Sequence, residues 1–333
     1  MQVINCRNVN DGFIKALDLI KQNHVVVGSR VGETLECPTP VTTVYENPRE
    51  RVLFEEIRNA NPFFHFMESL WMLEGRNDLA YVKRYNKRME EYSDDGETLW
   101  GAYGYRWIKH FGKNQLDVIV NELKNNPNSR RCVLQMWDGA QDLGKDCKDV
   151  PCNTAIYFKV RDGKLNMTVS NRSNDVIWGT FGANVVHMSI LQEYIASAIG
   201  IEVGKYYQVS DSFHVYTDIF NDMYQELSNE DAFDFYSMKY FNNPYENKAL
   251  KPYKMISTDI PTWCADLHKF LNRVPFGDKF FNDPFFTKVA CPLQDAWYLY
   301  KKADYDFALH EVQCCEAGDW SLAGFEWINR RLT

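Results

Sequence analysis

A single cysteine and a polar run downstream of it carry the clearest chemical signal in this sequence. Cys152 follows Val150 and Pro151, and residues 171–175 place Arg172 among amide and acidic side chains. A cysteine thiolate is a strong soft nucleophile, and neighbouring guanidinium groups lower the pKa of the thiol. Arginine also holds a phosphate through two parallel hydrogen bonds. These residue types predict a covalent catalyst that acts on a phosphorylated small molecule.

The composition limits the partners of such a site. The chain has 333 residues, 45% of them hydrophobic, and a formal net charge of −8. Proteins that bind nucleic acids usually carry a basic face, so a nucleic acid polymer is not the expected partner. The phosphate has to be bound by a local cluster of arginines, which favours a small metabolite.

The nine cysteines include no C-x-x-C pair, so neither a zinc site nor a redox dithiol is predicted, and we expect no metal. The N-terminal segment has no basic stretch followed by an apolar run, as a signal peptide would. No stretch reaches the ~18 apolar residues that a membrane helix needs. We therefore expect a soluble cytoplasmic protein with no membrane partner; for a virus-encoded chain, this is the host cytoplasm.

The spacing of apolar residues predicts the elements that position these side chains. Helices are predicted over 11–23, 61–73, 78–92, 114–125 and 184–199, and strands over 24–27, 132–137, 154–160, 164–170 and 206–209. Asp162 and Gly163 form a predicted hairpin turn between two of the strands. Beyond about residue 220, aromatic residues, Asn and Pro predict an irregular region. We interpret residues 1–333 as a single α+β domain with an extended C-terminal region.

Eight motifs in order resemble those of thymidylate synthase and its nucleotide hydroxymethylase relatives. They are Gly28-Ser29-Arg30, Glu68-Ser69-Leu70-Trp71, Tyr103-Gly104 ahead of Trp107, residues 125–131 ending in Arg130-Arg131, Pro151-Cys152, Arg172-Ser173-x-Asp175, Asn184, and His214-x-Tyr216. The resemblance implies an α+β fold with a large mixed β-sheet covered by helices, and a homodimer that packs sheet against sheet. It also implies alkylation of C5 of a pyrimidine nucleotide with 5,10-methylenetetrahydrofolate.

The resemblance gives four residues roles in the chemistry. Cys152 corresponds to the nucleophile that adds to C6 of the pyrimidine and so makes C5 reactive. Glu68 corresponds to the glutamate that organises water and relays protons at the base, and its place on an otherwise apolar helix fits this, because an unpaired buried carboxylate is costly. Tyr103 is expected to assist proton removal at C5, and Asp175 to bind the pterin.

The remaining residues of the resemblance bind substrates. The phosphate is expected to contact Arg30, Arg172 and Ser173, together with Arg130 and Arg131 of the second subunit. His214 and Tyr216 correspond to the residues that bind the sugar 3′-hydroxyl. Asn184 corresponds to the amide that reads the N3 and O4 edge of uracil, and its structural alternative is a helix N-cap. Asp175, Met89, Trp178 and Gly179 are expected to line the folate site.

Four departures from the synthase pattern bear on the product. Asn153 stands in place of the histidine after the cysteine, Asn171 in place of a glutamine, residues 181–184 depart from Pro-Phe-Asn, and Met89 lies where a tryptophan is expected. In the synthases this tryptophan packs against an exocyclic methylene intermediate and favours hydride transfer. Met89 and the C-terminal residues EWINRRLT favour the addition of water, which gives a hydroxymethyl product.

The sequence therefore predicts a hydroxymethylase of a pyrimidine nucleoside monophosphate, with dUMP favoured over dCMP or CMP. A thymidylate synthase that makes dTMP is the alternative. A non-catalytic nucleotide- or folate-binding homologue and a Cys-His hydrolase built on Cys152 and His214 are more remote alternatives. Ribose and deoxyribose nucleotides are not distinguished by spacing alone.

Overall fold

The structure is a computed structural model that describes residues 1–30, 32–229, 243–247 and 249–332, with the side chains of 224–229 excepted. Its centre is an eight-stranded mixed sheet in the order β1-β4-β8-β7-β6-β5, to which the β2–β3 hairpin is joined through β3 and β8. The strands are β1 Gln2–Cys6, β2 Val25–Ser29, β3 Gly32–Glu36, β4 Val41–Tyr45, β5 Val133–Gln135, β6 Asn153–Arg161, β7 Lys164–Asp175 and β8 Glu202–Tyr216. The predicted α+β class with a large mixed sheet is confirmed.

Helices flank this sheet, and short 3₁₀ and π turns extend several of them. The helices are α1 Val9–Gln22, α2 Pro62–Leu73, α3 Leu79–Val82, α4 Tyr103–Tyr105, α5 Gln115–Asn125, α6 Asn184–Ile199, α7 Thr217–Asn229, α8 Ile260–Leu271, α9 Cys291–Lys301, α10 Tyr305–Gln313 and α11 Gly318–Asn329. Within the described ranges, no helix combines the length and the apolar character needed to cross a membrane.

The hairpin between β6 and β7 forms where the sequence predicts it. Asp162 and Gly163 have positive φ angles of 51° and 71°, the combination that a two-residue turn requires between twisted strands. Both β7 and β8 continue well past their predicted ends, at residues 170 and 209. Many of the additional residues are polar and lie at the site described below. A period-2 apolar pattern does not reveal such residues.

Helix α6 connects the two long parallel strands β7 and β8. It begins and ends where predicted, and Gly200, with φ 91°, closes it in the left-handed conformation. The parallel register places Ser173 opposite Ser212 and Asp175 opposite His214. One crossover thus brings together polar residues that are far apart in sequence.

Helix α2 is buried along its whole length. Asn61 caps it by accepting a hydrogen bond from the backbone of Phe64 at 3.1 Å, and Pro62 occupies its first turn, as the sequence predicts. Its twelve residues are all buried, Glu68 among them. The helix therefore holds this carboxylate inside the molecule.

The prediction of irregular structure beyond residue 220 is wrong for residues 260–329, which form four helices. Aromatic residues of this region pack onto α2: the ring centroid of Phe63 lies 5.5 Å from that of Trp297 and 5.8 Å from that of Trp327. Phe66 lies 5.1 Å from Trp320. The dense aromatic composition thus supplies packing for α2. The number of domains stays a prediction.

The prediction of one helix over 78–92 is also wrong. The structure has the short helix α3 and a separate 3₁₀ turn, Lys87–Tyr92. Between them, the side chain of Asn86 accepts a hydrogen bond from the backbone of Arg88 at 3.2 Å. Asparagine side chains compete in this way with helical hydrogen bonds, which explains the break.

Candidate active site

Cys152 lies immediately before β6, and Arg172 of β7 fixes the backbone around it. The guanidinium donates hydrogen bonds to the carbonyls of Pro151 and Val150, both at 2.9 Å, and its Nη2 lies 3.8 Å from Cys152 Sγ. The Arg172 backbone N–H also donates to the Cys152 carbonyl at 2.9 Å. The predicted proximity of Cys152 and Arg172 is confirmed, and Arg172 braces the loop that carries the thiol.

The pKa of Cys152 differs from the sequence expectation. Burial raises the pKa of this thiol, Arg172 lowers it, and Asp149 and Asp175 raise it further. The expected influence of Arg172 is present, but burial outweighs it. The sequence thus predicts the lowering by Arg172 but not the larger, opposing effect of burial.

A chain of amides leads away from Cys152. Asn153 Nδ2 lies 3.5 Å from Asn184 Oδ1, Asn184 Nδ2 donates to Asn174 Oδ1 at 3.1 Å, and Asn174 Nδ2 donates to Ser210 Oγ at 3.0 Å. Asn184 is not a helix N-cap, because it already has helical angles and Ala183 occupies the cap position. The sequence analysis missed Asn153 and Asn174 as its partners.

Gly179 makes the close approach to these amides feasible. A Cβ at this position would lie 2.7 Å from Asn174 Oδ1 and 3.2 Å from Asn184 Nδ2. A larger residue would displace one of the two amides. Gly179 therefore borders the Asn184 amide directly.

Glu68 has a neighbour that the sequence analysis missed. His187, on α6 one turn after Asn184, places Nε2 3.0 Å from Glu68 Oε2. The angles are poor for a hydrogen bond, and neither atom has another partner among the described residues. Nearby His65 has a pKa well below its usual range because of burial, Arg58 and His187. His187 could have been found from the sequence, because it lies one turn after Asn184 on a predicted helix.

Tyr103 and Asp149 both interact electrostatically with Cys152. Burial, with Cys152 and Asp149 next, raises the pKa of Tyr103 well above its usual value, while hydrogen bonding from Asn153 lowers it. Asp149 Oδ2 accepts a hydrogen bond from the Gly101 backbone at 2.8 Å. Burial raises the pKa of Asp149 to about 6. The sequence analysis did not single out Asp149, although an acid three residues before the cysteine was visible.

Asp175 begins the turn that follows β7. Its Oδ1 accepts hydrogen bonds from the backbones of Ile177 at 2.8 Å and Trp178 at 2.5 Å, whereas its buried Oδ2 has no partner among the described residues. Burial raises the pKa of Asp175. The side chain is therefore held in place with one free acceptor.

Trp178 is 45% exposed, and two guanidinium groups lie over its ring. Arg58 is 4.6 Å and Arg88 5.8 Å from the ring centroid. Met89, next to Arg88, is half-buried and packs against the hydrophobic core. The turn that carries Met89 thus borders Trp178.

The end of β8 carries the residues predicted to bind the sugar. Ser212 Oγ lies 3.0 Å from His214 Nδ1 and donates to Glu36 Oε2 at 2.7 Å. The ring of Tyr216 lies 6.2 Å from that of His214. Burial raises the pKa of Tyr216, and the charge of Arg30 lowers it. The structure therefore brings Arg30, His214 and Tyr216 to one end of the sheet.

Arg130 and Arg131 are exposed residues between α5 and β5. Among the described residues, neither side chain has an ion pair. Their assignment to a partner subunit stays a prediction.

Comparisons with known proteins show the family and the relatives of this chain. The family model described as Thymidylate synthase matches residues 58–258. A deoxyuridylate hydroxymethyltransferase of Pseudomonas phage M6 is 47% identical over 336 residues, which cover 99% of this chain and 95% of that protein. Proteins of the same name from Bacillus phage SP01 and Delftia phage PhiW-14 are 41% and 30% identical, over 60% and 61% of this chain and 55% and 61% of their own lengths.

The matched segment contains Glu68, Cys152, Asn184 and His214 and the elements that position them. The similarity to the phage M6 protein extends over nearly the whole chain, including the C-terminal helices. The chain belongs to the thymidylate synthase family of one-carbon transferases.

Proposed function

We propose that this chain catalyses the folate-dependent hydroxymethylation of dUMP at C5, through a covalent bond between Cys152 and C6 of the pyrimidine. The observation that carries the product assignment is the 47% identity, over nearly the full length of both chains, to a protein named deoxyuridylate hydroxymethyltransferase. Met89, in place of the tryptophan of the synthases, supports the same product. We further expect the reaction to take place in the cytoplasm, which is that of the host if the chain is virus-encoded.

In this proposal the phosphate lies against Arg172 and Ser173. Arg172 donates to the carbonyls of Pro151 and Val150 through Nε and Nη2, whereas Nη1 has no hydrogen-bond partner among the described residues. The guanidinium can therefore bind the phosphate through Nη1 while it holds the loop. Arg30 approaches from its loop, and Arg130 and Arg131 come from a second subunit. His214 and Tyr216 bind the sugar 3′-hydroxyl.

Uracil is favoured over cytosine because of the amide of Asn184. An amide donates and accepts, which matches the N3–H and O4 of uracil. Its contacts with Asn153 and Asn174 leave one N–H and one lone pair for the base. Cytosine presents an amino group instead of O4, so the same amide cannot match both of its groups in this orientation.

The covalent step begins when Cys152 loses its thiol proton to water and the thiolate Sγ bonds to C6 of the base. The electron pair of the C5–C6 double bond moves towards C5 and O4, so C5 becomes nucleophilic. Glu68 organises water and relays protons near O4, and Tyr103 assists the removal of the C5 proton. When the product forms, the C6–S bond breaks and the thiolate leaves.

The folate site is proposed around Asp175, Trp178, Gly179 and Met89. The free buried Oδ2 of Asp175 can accept from the N–H groups of a pterin, and the exposed ring of Trp178 offers an apolar surface. These residues therefore fit 5,10-methylenetetrahydrofolate. When bound, it supplies the one-carbon unit at the oxidation level of formaldehyde.

The purified protein is to be incubated with dUMP and methylenetetrahydrofolate, and the nucleotide identified by mass spectrometry. We expect 5-hydroxymethyl-dUMP and tetrahydrofolate, with no absorbance rise from dihydrofolate. Parallel reactions with dCMP and CMP test the base and the sugar. The Cys152→Ala variant is the control and is expected to release no tritium from C5-labelled dUMP.

Two results contradict the proposal. Formation of dTMP and dihydrofolate in equal amounts identifies the methylating alternative, which membership of this family also permits. No turnover of any of the three nucleotides, with retained nucleotide binding, identifies a non-catalytic homologue.

A further inference from the structure

We propose that Asp149 is a catalytic residue of the hydroxymethylation, the base that takes a proton from the water added to the nucleotide. The inference rests on the proposed function. It assigns the last step, the capture of water, to a side chain distinct from Glu68.

The carboxylate of Asp149 is anchored on one side only. Its Oδ2 accepts from the Gly101 backbone at 2.8 Å, while Oδ1 accepts no hydrogen bond from the described residues. A Cβ on Gly101 would lie 2.8 Å from Oδ1 and 3.0 Å from Oδ2. Because Gly101 has no side chain, its backbone N–H can approach the carboxylate closely. The second carboxylate oxygen, Oδ1, remains available to a water molecule.

Asp149 lies on the braced loop of the nucleophile. It directly precedes Val150 and Pro151, whose carbonyls accept hydrogen bonds from Arg172. The charge of Asp149 acts on both Cys152 and Tyr103, raising the pKa of each. Asp149 is three residues from Cys152, and its carboxylate binds the backbone of Gly101, two residues before Tyr103.

Asp149 has no dedicated counter-ion among the described residues. The cation with the largest effect on its pKa is Arg106. Both terminal nitrogens of the Arg106 guanidinium, Nη1 and Nη2, donate to buried Asp142, at 2.6 and 2.9 Å. A paired carboxylate is a poor base because ion pairing lowers its pKa, so the commitment of Arg106 to Asp142 leaves Asp149 basic.

The pKa of Asp149 suits a base that works near neutral pH. Burial raises it to about 6; Gly101 and Arg106 oppose this, and Glu68 and Asp94 add to it. Arg106, Glu68 and Asp94 are thus the main charged groups that act on it, and Cys152 and Tyr103 are titratable groups on which its own charge acts. A general base is most effective when its pKa lies close to the working pH.

The step balances without an oxidant or reductant. After the one-carbon unit has been transferred, the nucleotide carries an exocyclic methylene at C5 and Cys152 at C6. The oxygen of water bonds to the methylene carbon, one proton of the water passes to Asp149, and the electron pair of the exocyclic double bond moves onto the ring enolate. The enolate then expels the thiolate of Cys152, which restores the C5–C6 double bond, and Asp149 returns its proton to solvent.

The test compares Asp149→Asn with the wild type in two assays of the full-length protein with dUMP and methylenetetrahydrofolate. Tritium release from C5 reports the steps before water addition, and the yield of 5-hydroxymethyl-dUMP reports the step itself. Both are run with added 2-mercaptoethanol, which traps an uncaptured exocyclic methylene as a thioether. Asp146→Asn, an exposed acid of the same loop, is the control.

We expect Asp149→Asn to retain tritium release within about threefold, to lose hydroxymethyl product by about 100-fold, the range of a general base, and to accumulate the thioether. At each pH, the ratio of hydroxymethyl product to thioether in the wild type is divided by the same ratio in Asp149→Asn, which cancels the pH dependence of the thiol trap; this quotient should fall as the pH drops through about 6. Glu68→Gln should lose tritium release and product together, and Asp146→Asn should behave as the wild type.

The proposal is overturned if Asp149→Asn keeps the wild-type ratio of hydroxymethyl product to thioether, or if its tritium release and product fall in parallel while thermal unfolding shows a folded protein. A wild type that produces dTMP contradicts the proposed function itself. A wild type that produces 5-hydroxymethyl-dUMP with an unaltered product ratio in Asp149→Asn contradicts only the role of Asp149.

Discussion

At the scale of the residue, the sequence indicates which groups are proposed to react but not their immediate environment. Cys152 and Arg172 are close together because β6 and β7 are hairpin partners, which the turn at Asp162 predicts. Their electrostatics could not be predicted, because burial determines the pKa of Cys152 and burial is a property of the packed structure. His187 and Asp149 are not predicted as site residues either, because they belong to no motif. Only the folded structure shows which residues they contact.

The raised pKa of Asp149 predicts a pH-dependent effect on stability. The carboxyl of Asp149 titrates near pH 4 in the unfolded chain and near pH 6 in the folded chain. The ionised group therefore destabilises the fold, and this cost develops as the pH rises from about 4 to about 6. We expect Asp149→Asn to raise Tm relative to the wild type at pH 8 and not at pH 3.5. Thermal unfolding at both pH values measures the change in Tm caused by the substitution. The same change in Tm at pH 8 and at pH 3.5 would contradict the prediction.

The orientation of the Asn184 amide predicts the choice of base. Replacing Asn184 by Asp places a second oxygen against Asn174 Oδ1, so the acid keeps a proton there and presents only an acceptor to the base. We expect the kcat/KM for dUMP to fall at least about tenfold, and the ratio for dCMP over dUMP to rise. Competitive tritium release from the two labelled nucleotides measures the ratio. Asn184→Ala, which removes both polar groups, should lower both rates without reversing the preference.

At the scale of the element, α2 depends on helices that come late in the chain. Its residues Phe63 and Phe66 pack against Trp297, Trp320 and Trp327, and the same helix carries Glu68. The sequence predicts α2 well, because Asn61 and Pro62 mark its start and its apolar residues are continuous. It does not predict α8 to α11 as packed helices, since aromatic residues and turn residues alternate there and the partner surface lies more than 200 positions away.

Trp327 tests the contribution of this packing. Its ring is buried and contacts Phe63, Trp297 and Tyr300. Trp327→Ala is expected to lower the free energy of unfolding by about 3–5 kcal/mol, as measured by urea denaturation. Because the buried Nε1 has no partner among the described residues, Trp327→Phe should cost less than about 1.5 kcal/mol. Equal losses in the two variants would show that the packing of the large ring is not what stabilises the protein.

At the scale of the whole molecule, the placement of Arg130 and Arg131 bears on the proposed homodimer. Arg130 and Arg131 are exposed and precede β5, where Val133 lies opposite Tyr157 in the register. These two apolar side chains are 42% and 41% exposed. An exposed apolar pair on a strand next to two unpaired arginines supports the proposed sheet-to-sheet homodimer.

Mixing two inactive variants tests the shared site. Cys152→Ala and Arg131→Ala are each expected to lack activity as homodimers. After they are unfolded and refolded together, half of the dimers are mixed, and each mixed dimer contains one intact site, so about a quarter of the wild-type activity should return under two-fold symmetry. No recovery, with mixed dimers verified by mass spectrometry, would place Arg131 in the site of its own chain.

The burial of α2 by α8 to α11 also has a consequence for protein synthesis. On the ribosome, α2 emerges long before residues 285–327, which cover Phe63 and Phe66. Until those residues have been translated, the face of α2 that carries Phe63 and Phe66 stays uncovered, and such apolar surfaces favour aggregation or capture by chaperones. We expect ribosome-bound chains that end at residue 259 to be sensitive to protease near α2, and the completed chain to be resistant. The enzyme would then acquire activity only after its last helices have left the ribosome.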